Sequence, residues 1–295
     1  MKAKFHGPIT VIYNPNSTNN AAAKAKRFAR VAQKAGYSVR LYATAHAGHA
    51  REIARELTVK YERPLIIASS GDGGYNEVIN GVMDGKVDSP SYRPVVAVIA
   101  AGNANDHKRM TRGDTPLITL LKRNDPKPLE LLHLSCGDIK RYAHSYIGLG
   151  ITPEVGIELN RHDLNRWREM VIVLDAFRRF QPFRIVRDGK KLKLSSLIFA
   201  NIAGMAKAIK LDTEGNSLSD GKFEVITFRY RGKLVLLLDL LRSVVRGNAK
   251  APQVSSYRFT TTVKTPVQLD GEIEMLPANR KVQVRCVQGQ IESFY

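Results

Sequence analysis

Cysteine is scarce in this chain, with two residues in 295, Cys136 and Cys286, far apart and each in a strand-like run. That argues against a disulfide framework or a thiolate zinc site and fits reduced thiols buried in the fold. Long apolar runs are missing too. No stretch approaches the roughly 18 residues of a membrane span, and residues 1–7 hold two lysines without an apolar h-region, so the expectation is a cytoplasmic protein with neither span nor secretory leader. The phosphate-loop signature Gly-x4-Gly-Lys-Ser/Thr is absent, which argues against an ordinary P-loop kinase. His46 and His49 have no third metal ligand near in sequence and read as solvated loop histidines.

Acidic charge is the remaining shortage. Against 46 Lys and Arg stand 27 Asp and Glu, a formal charge of +19, which calls for an anionic partner: nucleic acid, an anionic membrane or a nucleotide. Residues 1–60 carry eleven basic and two acidic side chains, and residues 161–193 carry ten and four. Four or five such cations facing an anionic bilayer contribute on the order of 4–5 kcal/mol, enough for reversible peripheral association. A basic surface that only solubilises the chain is the alternative. No aromatic-basic cluster or reading motif for nucleic acid is present, so no nucleic-acid partner is expected.

The length and a hydrophobic content of 43% suit two domains. Residues 8–13, 38–42, 65–68 and 95–99 are short apolar or β-branched runs, each followed by a loop and a helical stretch. In the first helix Phe28, Val31, Ala32 and Ala35 share a face. Four β-loop-α passes with apolar strands predict a parallel sheet covered on both faces, whose ligands bind outside the carboxyl ends of the strands, at the loops from Asn14, Thr44, Ser70 and Ala101. After Pro126-Lys127-Pro128 the texture changes to short apolar runs separated by turns, among them 129–134, 142–149, 183–186, 194–202, 223–228, 257–263, 267–269 and 281–287, the pattern of an antiparallel β-sandwich. Amphipathic helices are expected at 164–180, basic and able to pack on its own sheet or lie on a membrane, and at 233–245. The expected division is 1–127 and 128–295, with a return of the last residues to the first domain left open. A homodimer is likewise left open.

The most informative stretch is Gly71-Asp72-Gly73-Gly74-Tyr75-Asn76-Glu77-Val78-Ile79-Asn80-Gly81, between the apolar run 64–68 and an amphipathic one. It reads as strand, glycine turn, helix. Glycine turns and helix N-termini present N–H donors and the positive end of the helix dipole, so a phosphate is the natural occupant. Asp72 beside an anion calls for a bridging cation such as Mg2+.

This string resembles the nucleotide-binding signature of the diacylglycerol kinase, sphingosine kinase and bacterial lipid kinase superfamily: Gly-Gly-Asp-Gly-Thr, two residues to Glu, then Val and Asn-Gly. It departs at Ser70, where Gly is usual, and at Gly74, where Thr is usual. Other landmarks follow in the superfamily's order from about residue 9 to residue 283. Asn14-Pro15-Asn16-Ser17 resembles its Asn-Pro-x-Ser-Gly phosphate loop, with Thr18 for Gly, and Thr44 matches a nucleotide-contacting threonine. Gly102, Asn105 and Asp106 match its Pro-x-Gly-Thr-x-Asn-Asp motif, with Ala100 for Pro and Asn103 for Thr.

The resemblance implies an N-terminal nucleotide-binding domain of the NAD kinase/phosphofructokinase-like α/β kind, a C-terminal β-sandwich, and an active site between them. The implied nucleotide ligands are Asn14, Pro15, Asn16, Ser17, Thr18, Thr44, Gly71, Asp72, Gly73, Gly74, Asn76, Glu77, Gly102, Asn103 and Asp106. Asp220, in Ser219-Asp220-Gly221, corresponds to a residue that helps hold a structural Mg2+, its companion Asp being Ser217 here. Glu272, in Asp270-Gly271-Glu272, corresponds to the general base, and Asp270 reads as an Asx-type turn residue. The implied activity is transfer of the γ-phosphate of ATP, with Mg2+ and Asp72, to a lipid hydroxyl. An NAD kinase-like enzyme and a weakened member that binds nucleotide or lipid without turnover are the alternatives.

Overall fold

A computed structural model describes residues 5–17, 19–85, 93–102, 105–150, 180–202, 204–205, 209–210, 220–232, 235 and 251–295. The helices expected at 164–180 and 233–245 lie outside the described residues, apart from Phe180 and Val235. The chain divides into two compact units, one of residues 1–130 and 287–295, the other of residues 131–286. No helix among the described residues is long and apolar enough to cross a membrane.

In the first unit, β-branched and aliphatic residues form strands β1 (Ile9–Tyr13), β2 (Val39–Ala43), β3 (Leu65–Ser70) and β4 (Val95–Ala100). Helices α1 (Ala21–Lys34), α2 (His49–Lys60), α3 (Asp72–Gly85), α4 (Asp106–Thr111) and α5 (Leu117–Arg123) connect and follow them. All pairings are parallel, with β1 between β2 and β3, and β3 between β1 and β4. Ile9, Val11, Leu65, Ile67, Val95 and Ala97 point to one face, where Ala25 of α1 and Leu117 and Leu121 of α5 close the core. Because side chains alternate along a strand, Ile12, Ile66 and Val96 point the other way and are also fully buried. A sheet covered on both faces follows, as the sequence predicts.

Two local expectations are corrected. β2 is an edge strand with mostly exposed or half-buried side chains, Arg40 and Leu41 among them, because only β1 pairs with it. In α1 the inward stripe is Ala21, Ala25, Ala29 and Ala32, and Val31 faces solvent. Small side chains let that helix lie close to the sheet.

The second unit is antiparallel. Its strands are the later part of β5 (Lys127–Cys136), β6 (Ile139–Ala143), β7 (Tyr146–Gly150), β8 (Phe183–Arg187), β9 (Lys190–Ala200), β10 (Gly204–Met205), β11 (Ile209–Lys210), β12 (Phe223–Arg229), β13 (Gln253–Val254), β14 (Ser256–Thr261), β15 (Thr265–Leu269), β16 (Glu272–Leu276) and the earlier part of β17 (Lys281–Ser293). The single strand expected over 142–149 is two, broken at His144 and Ser145. Along its length β9 pairs with β8, β7 and β12 and so joins the neighbouring ribbons. The core gathers Leu134, Ile147, Leu149, Leu197, Phe199, Phe223, Tyr257, Phe259, Val267 and Val284. Cys136 is buried there, its thiol pushed up by desolvation, and Cys286 is half-buried; the two are not joined in a disulfide.

The last residues belong to the first unit. Glu292 and Ser293 of β17 pair in parallel with Val95 and Val96, which adds a fifth strand beside β4.

Candidate functional site

In the first unit, the carboxyl ends of β1, β3 and β4 turn into loops that hold one another. After β1 the Asn14 side chain accepts from the Asn16 amide (2.9 Å), closing an Asx turn, and the Ser17 hydroxyl donates to the Ala101 carbonyl (3.4 Å). After β3 and β4, Gly71 and Gly102 meet backbone to backbone. A Cβ on Gly71 would lie 3.0 Å from the Gly102 Cα, and one on Gly102 2.4 Å from the Gly71 Cα. Glycine alone permits that approach at Gly102, and a Cβ at Gly71 would crowd it. Asn105, in the left-handed region at φ 50°, fixes the second loop: its side chain accepts from the Gly102 N–H (2.9 Å) and donates to the Gly102 carbonyl (2.5 Å).

Asp72, the first residue of α3, reaches across to α4. Its carboxylate accepts from the Asp106 N–H (3.1 Å) and the His107 N–H (3.4 Å), capping that helix from outside. Asp106 is buried and pairs with Arg109 (2.7 Å). Lys24 on α1 adds a cation at the same end of the sheet, donating to the Ala100 carbonyl (2.9 Å). Sequence reasoning missed Lys24, because a lysine inside an amphipathic helix gives no sign of the direction in which it points.

The remaining residues fall into four groups. Thr44 follows β2, its N–H donating to the Tyr13 carbonyl (2.9 Å). Asn76 and Glu77 sit on the first turns of α3, yet their side chains have structural partners. Asn76 is buried and accepts from the Asn80 amide (2.9 Å), and Glu77 accepts from the Gly48 N–H at the start of α2 (3.1 Å). Thr18 and Asn103 lie outside the described residues. His46 and His49 stack at 4.8 Å; His49, read as a loop residue, is the first residue of α2, and it accepts from the Ala45 N–H in the preceding loop.

In the second unit, Glu272 is exposed at the start of β16, directly after the two-residue turn Asp270-Gly271. Both turn residues have positive φ, 50° and 103°, the geometry of a tight hairpin. The Asx-turn reading of Asp270 is corrected, since its carboxylate is fully buried and accepts from the N–H groups of His144 (2.6 Å), Ser145 (3.0 Å) and Tyr146 (2.9 Å). The His144 ring, also buried, lies 3.3 Å from it and contacts the Ser145 hydroxyl (2.7 Å). Three consecutive amides around one carboxylate form an anion nest that pins the hairpin carrying Glu272. Asp220 is exposed, and its carboxylate accepts from the Lys222 N–H (2.9 Å) in a local turn.

Residues 8–133 match the family model of the diacylglycerol kinase catalytic domain. The chain is 28% identical to a diacylglycerol kinase of Bacillus subtilis (strain 168) over 293 residues, covering 90% of each. It is 39% identical over 101 residues to a diacylglycerol kinase of Staphylococcus epidermidis, covering 34% of this chain and 30% of that one. The likeness is to the diacylglycerol kinase superfamily of lipid kinases, through the catalytic-domain model over residues 8–133 and through the Bacillus subtilis enzyme over most of the chain. The fold agrees: a crystal structure of a diacylglycerol kinase from Bacillus anthracis str. Sterne superposes with a TM-score of 0.69 at 17% identity, covering 99% of this chain and 98% of that one.

Kinases of this superfamily imply a nucleoside triphosphate and a divalent ion. Among the described residues no three His, Cys, Asp or Glu side chains converge as an all-protein metal site. A Mg2+ arriving with phosphates needs only one or two carboxylates, and Asp72, held beside the glycine loops by two backbone donors, fits that demand. Asp220 has only its own turn as a described partner, so it offers a single ligand toward a structural ion.

Proposed function

We propose that this lipid kinase transfers the γ-phosphate of ATP to the hydroxyl of a diacylglycerol-like lipid at an anionic membrane surface. The observation that carries the reading is the interlocked cluster of the loop after β1, the Gly71 junction with the α3 N-terminus and the Gly102 and Asn105 backbone after β4, at the carboxyl ends of three adjacent parallel strands, with Asp72 among them. Backbone N–H groups and the α3 N-terminus suit a phosphate chain, and Lys24 adds an ordered positive charge there. Mg2+, when bound with the nucleotide, neutralises phosphoryl charge, and Asp72 is the residue that would hold it.

Glu272 is assigned the role of base. Its carboxylate takes the proton of the lipid hydroxyl, the oxygen forms the new bond to the γ-phosphorus, and ADP departs with the cleaved bridging bond. The buried Asp270 and His144 hold the turn from which Glu272 projects, so the base starts from a fixed backbone.

Membrane association is supported by one face of the second unit. Strand registers put Arg184, Lys191, Lys193, Arg258, Lys281 and Arg285 on a common outward side of β8, β9, β14 and β17, with no acid among the residues those registers align there. At about 1 kcal/mol per cation near an anionic bilayer, six amount to roughly 6 kcal/mol, weakened by salt.

Incubation with labelled ATP, Mg2+ and lipid extracts tests the activity. A phosphorylated lipid is expected, with Glu272→Gln lowering kcat at least about a hundredfold, as removal of a general base does. Full activity of that variant, or product formed only with NAD, overturns the reading.

A further inference from the structure

We propose that Ser70 supplies the nucleotide's phosphate chain with a hydroxyl donor that Gly74 lacks, so that two departures from the superfamily pattern are one compensated exchange. The pattern carries Gly and Thr at these two positions, and this chain carries Ser and Gly. A Cβ on Gly74 would lie 2.7 Å from the Ser70 Cβ and 2.9 Å from its Oγ. Between the end of β3 and the first turn of α3 there is therefore room for one side chain, reachable from either backbone position. Whichever residue fills it brings its hydroxyl to the same spot, one residue from Gly71 and its contact with Gly102.

Ser70 is half-buried, and its hydroxyl donates to the Gly71 carbonyl (2.9 Å), a neutral acceptor in the loop itself. A serine hydroxyl turns about one bond to reach a better acceptor, and a phosphate oxygen forms the stronger, charge-assisted bond. The inference rests on the proposed nucleotide site, and it accounts for how this chain keeps a hydroxyl there without a residue-74 side chain.

The test is a double-mutant cycle read by direct titration of Mg·ATP onto the full-length protein, with ATP and lipid KM values measured in parallel. Ser70→Ala removes one oxygen, and Ser70→Gly, the other single corner of the cycle, removes the whole side chain; each is expected to weaken ATP binding about tenfold, the loss of a hydrogen bond to a charged group, with lipid KM unchanged and, for Ser70→Ala, the melting temperature unchanged too. Gly74→Thr alone should bind ATP more weakly, because Thr and Ser70 collide. Ser70→Gly with Gly74→Thr together should return to within about threefold of the parent, since the cycle then closes on a restored hydroxyl. Unchanged ATP affinity in Ser70→Ala, or a double variant no better than Gly74→Thr, overturns the proposal. If the parent binds ATP and the cycle behaves as described while no lipid is phosphorylated, the kinase reading fails and this one stands. If the parent binds no ATP, both fall.

Discussion

Burial and the nearby charges of Arg285 and Lys140 lower the His133 imidazole to about 4. The ring stacks on Tyr142 at 4.6 Å and accepts from the Arg285 guanidinium (3.1 Å), so near neutral pH it is uncharged. An unfolded chain binds this proton near 6.5, the folded one only near 4. The contribution to stability is complete above 6.5 and is lost as pH falls from there toward 4, reaching at most about 3 kcal/mol. His133→Phe keeps the stacking and removes the titration. Urea midpoints measured from about pH 7 to about pH 4 should therefore fall less steeply in this variant than in the parent. At this scale the sequence is legible where the cause is local. The loop at Asn14 and a helix start close after β3 could be read because their determinants lie within a few positions, although α3 begins at Asp72, so that Gly73 and Gly74, read as part of a turn, are helical. The Asp270 nest could not, since its donors are about 125 positions away, and a two-residue hairpin tip gives no sign that it is buried. Asn76 and Glu77 show a third limit: sequence puts them on the first turns of a helix but does not tell which way each side chain turns.

Between elements, the tightest contact at a glycine among the described residues is the crossing of α2 and α3. A Cβ on Gly81 would lie 2.1 Å from the Arg51 carbonyl oxygen and 2.8 Å from the Ala54 Cβ, and one on Gly85 2.5 Å from the Arg55 carbonyl oxygen. The two glycines stand one turn apart, so the helices touch along backbone, and Arg51 pairs with Asp84 beside them (2.5 Å). Gly81, which closes the signature string, thus has a packing role. Gly81→Ala must push the helices apart and is expected to cost about 3 kcal/mol or more, near the top of the usual overpacking range, despite alanine's higher helix propensity. Val59→Ala, on the exposed side of α2, should stay within about 0.5 kcal/mol. Equilibrium denaturation of the pair checks this, and equal stabilities would contradict the described crossing. The parallel and antiparallel textures could be read from hydrophobic period, because burial on both faces of a sheet leaves a different pattern from burial on one. Edge position could not, since β2 is apolar enough in sequence to suggest a central strand and is marked as an edge only by its lack of a second neighbour.

At the scale of the molecule, the chain completes its first unit with its last described residues. Arg63 and Glu292, 229 positions apart, form a largely buried ion pair, and the Phe294 ring meets Phe5 edge-on at 6.0 Å within the same core. Breaking such a pair on one side strands a charge, so Arg63→Met is expected to cost about 3 kcal/mol or more in chemical denaturation. Ending the chain after Cys286 should do more harm, opening the first unit to limited proteolysis while the second, whose residues are all retained, keeps its protection. Equal cleavage of both units would contradict that division. One consequence reaches back to synthesis. As the nascent polypeptide leaves the ribosome, β4 is made long before its partner in β17, and the residues of the whole second unit emerge in between. The first unit, although translated first, is the one that finishes last, and until then its open strand edge is a target for chaperones.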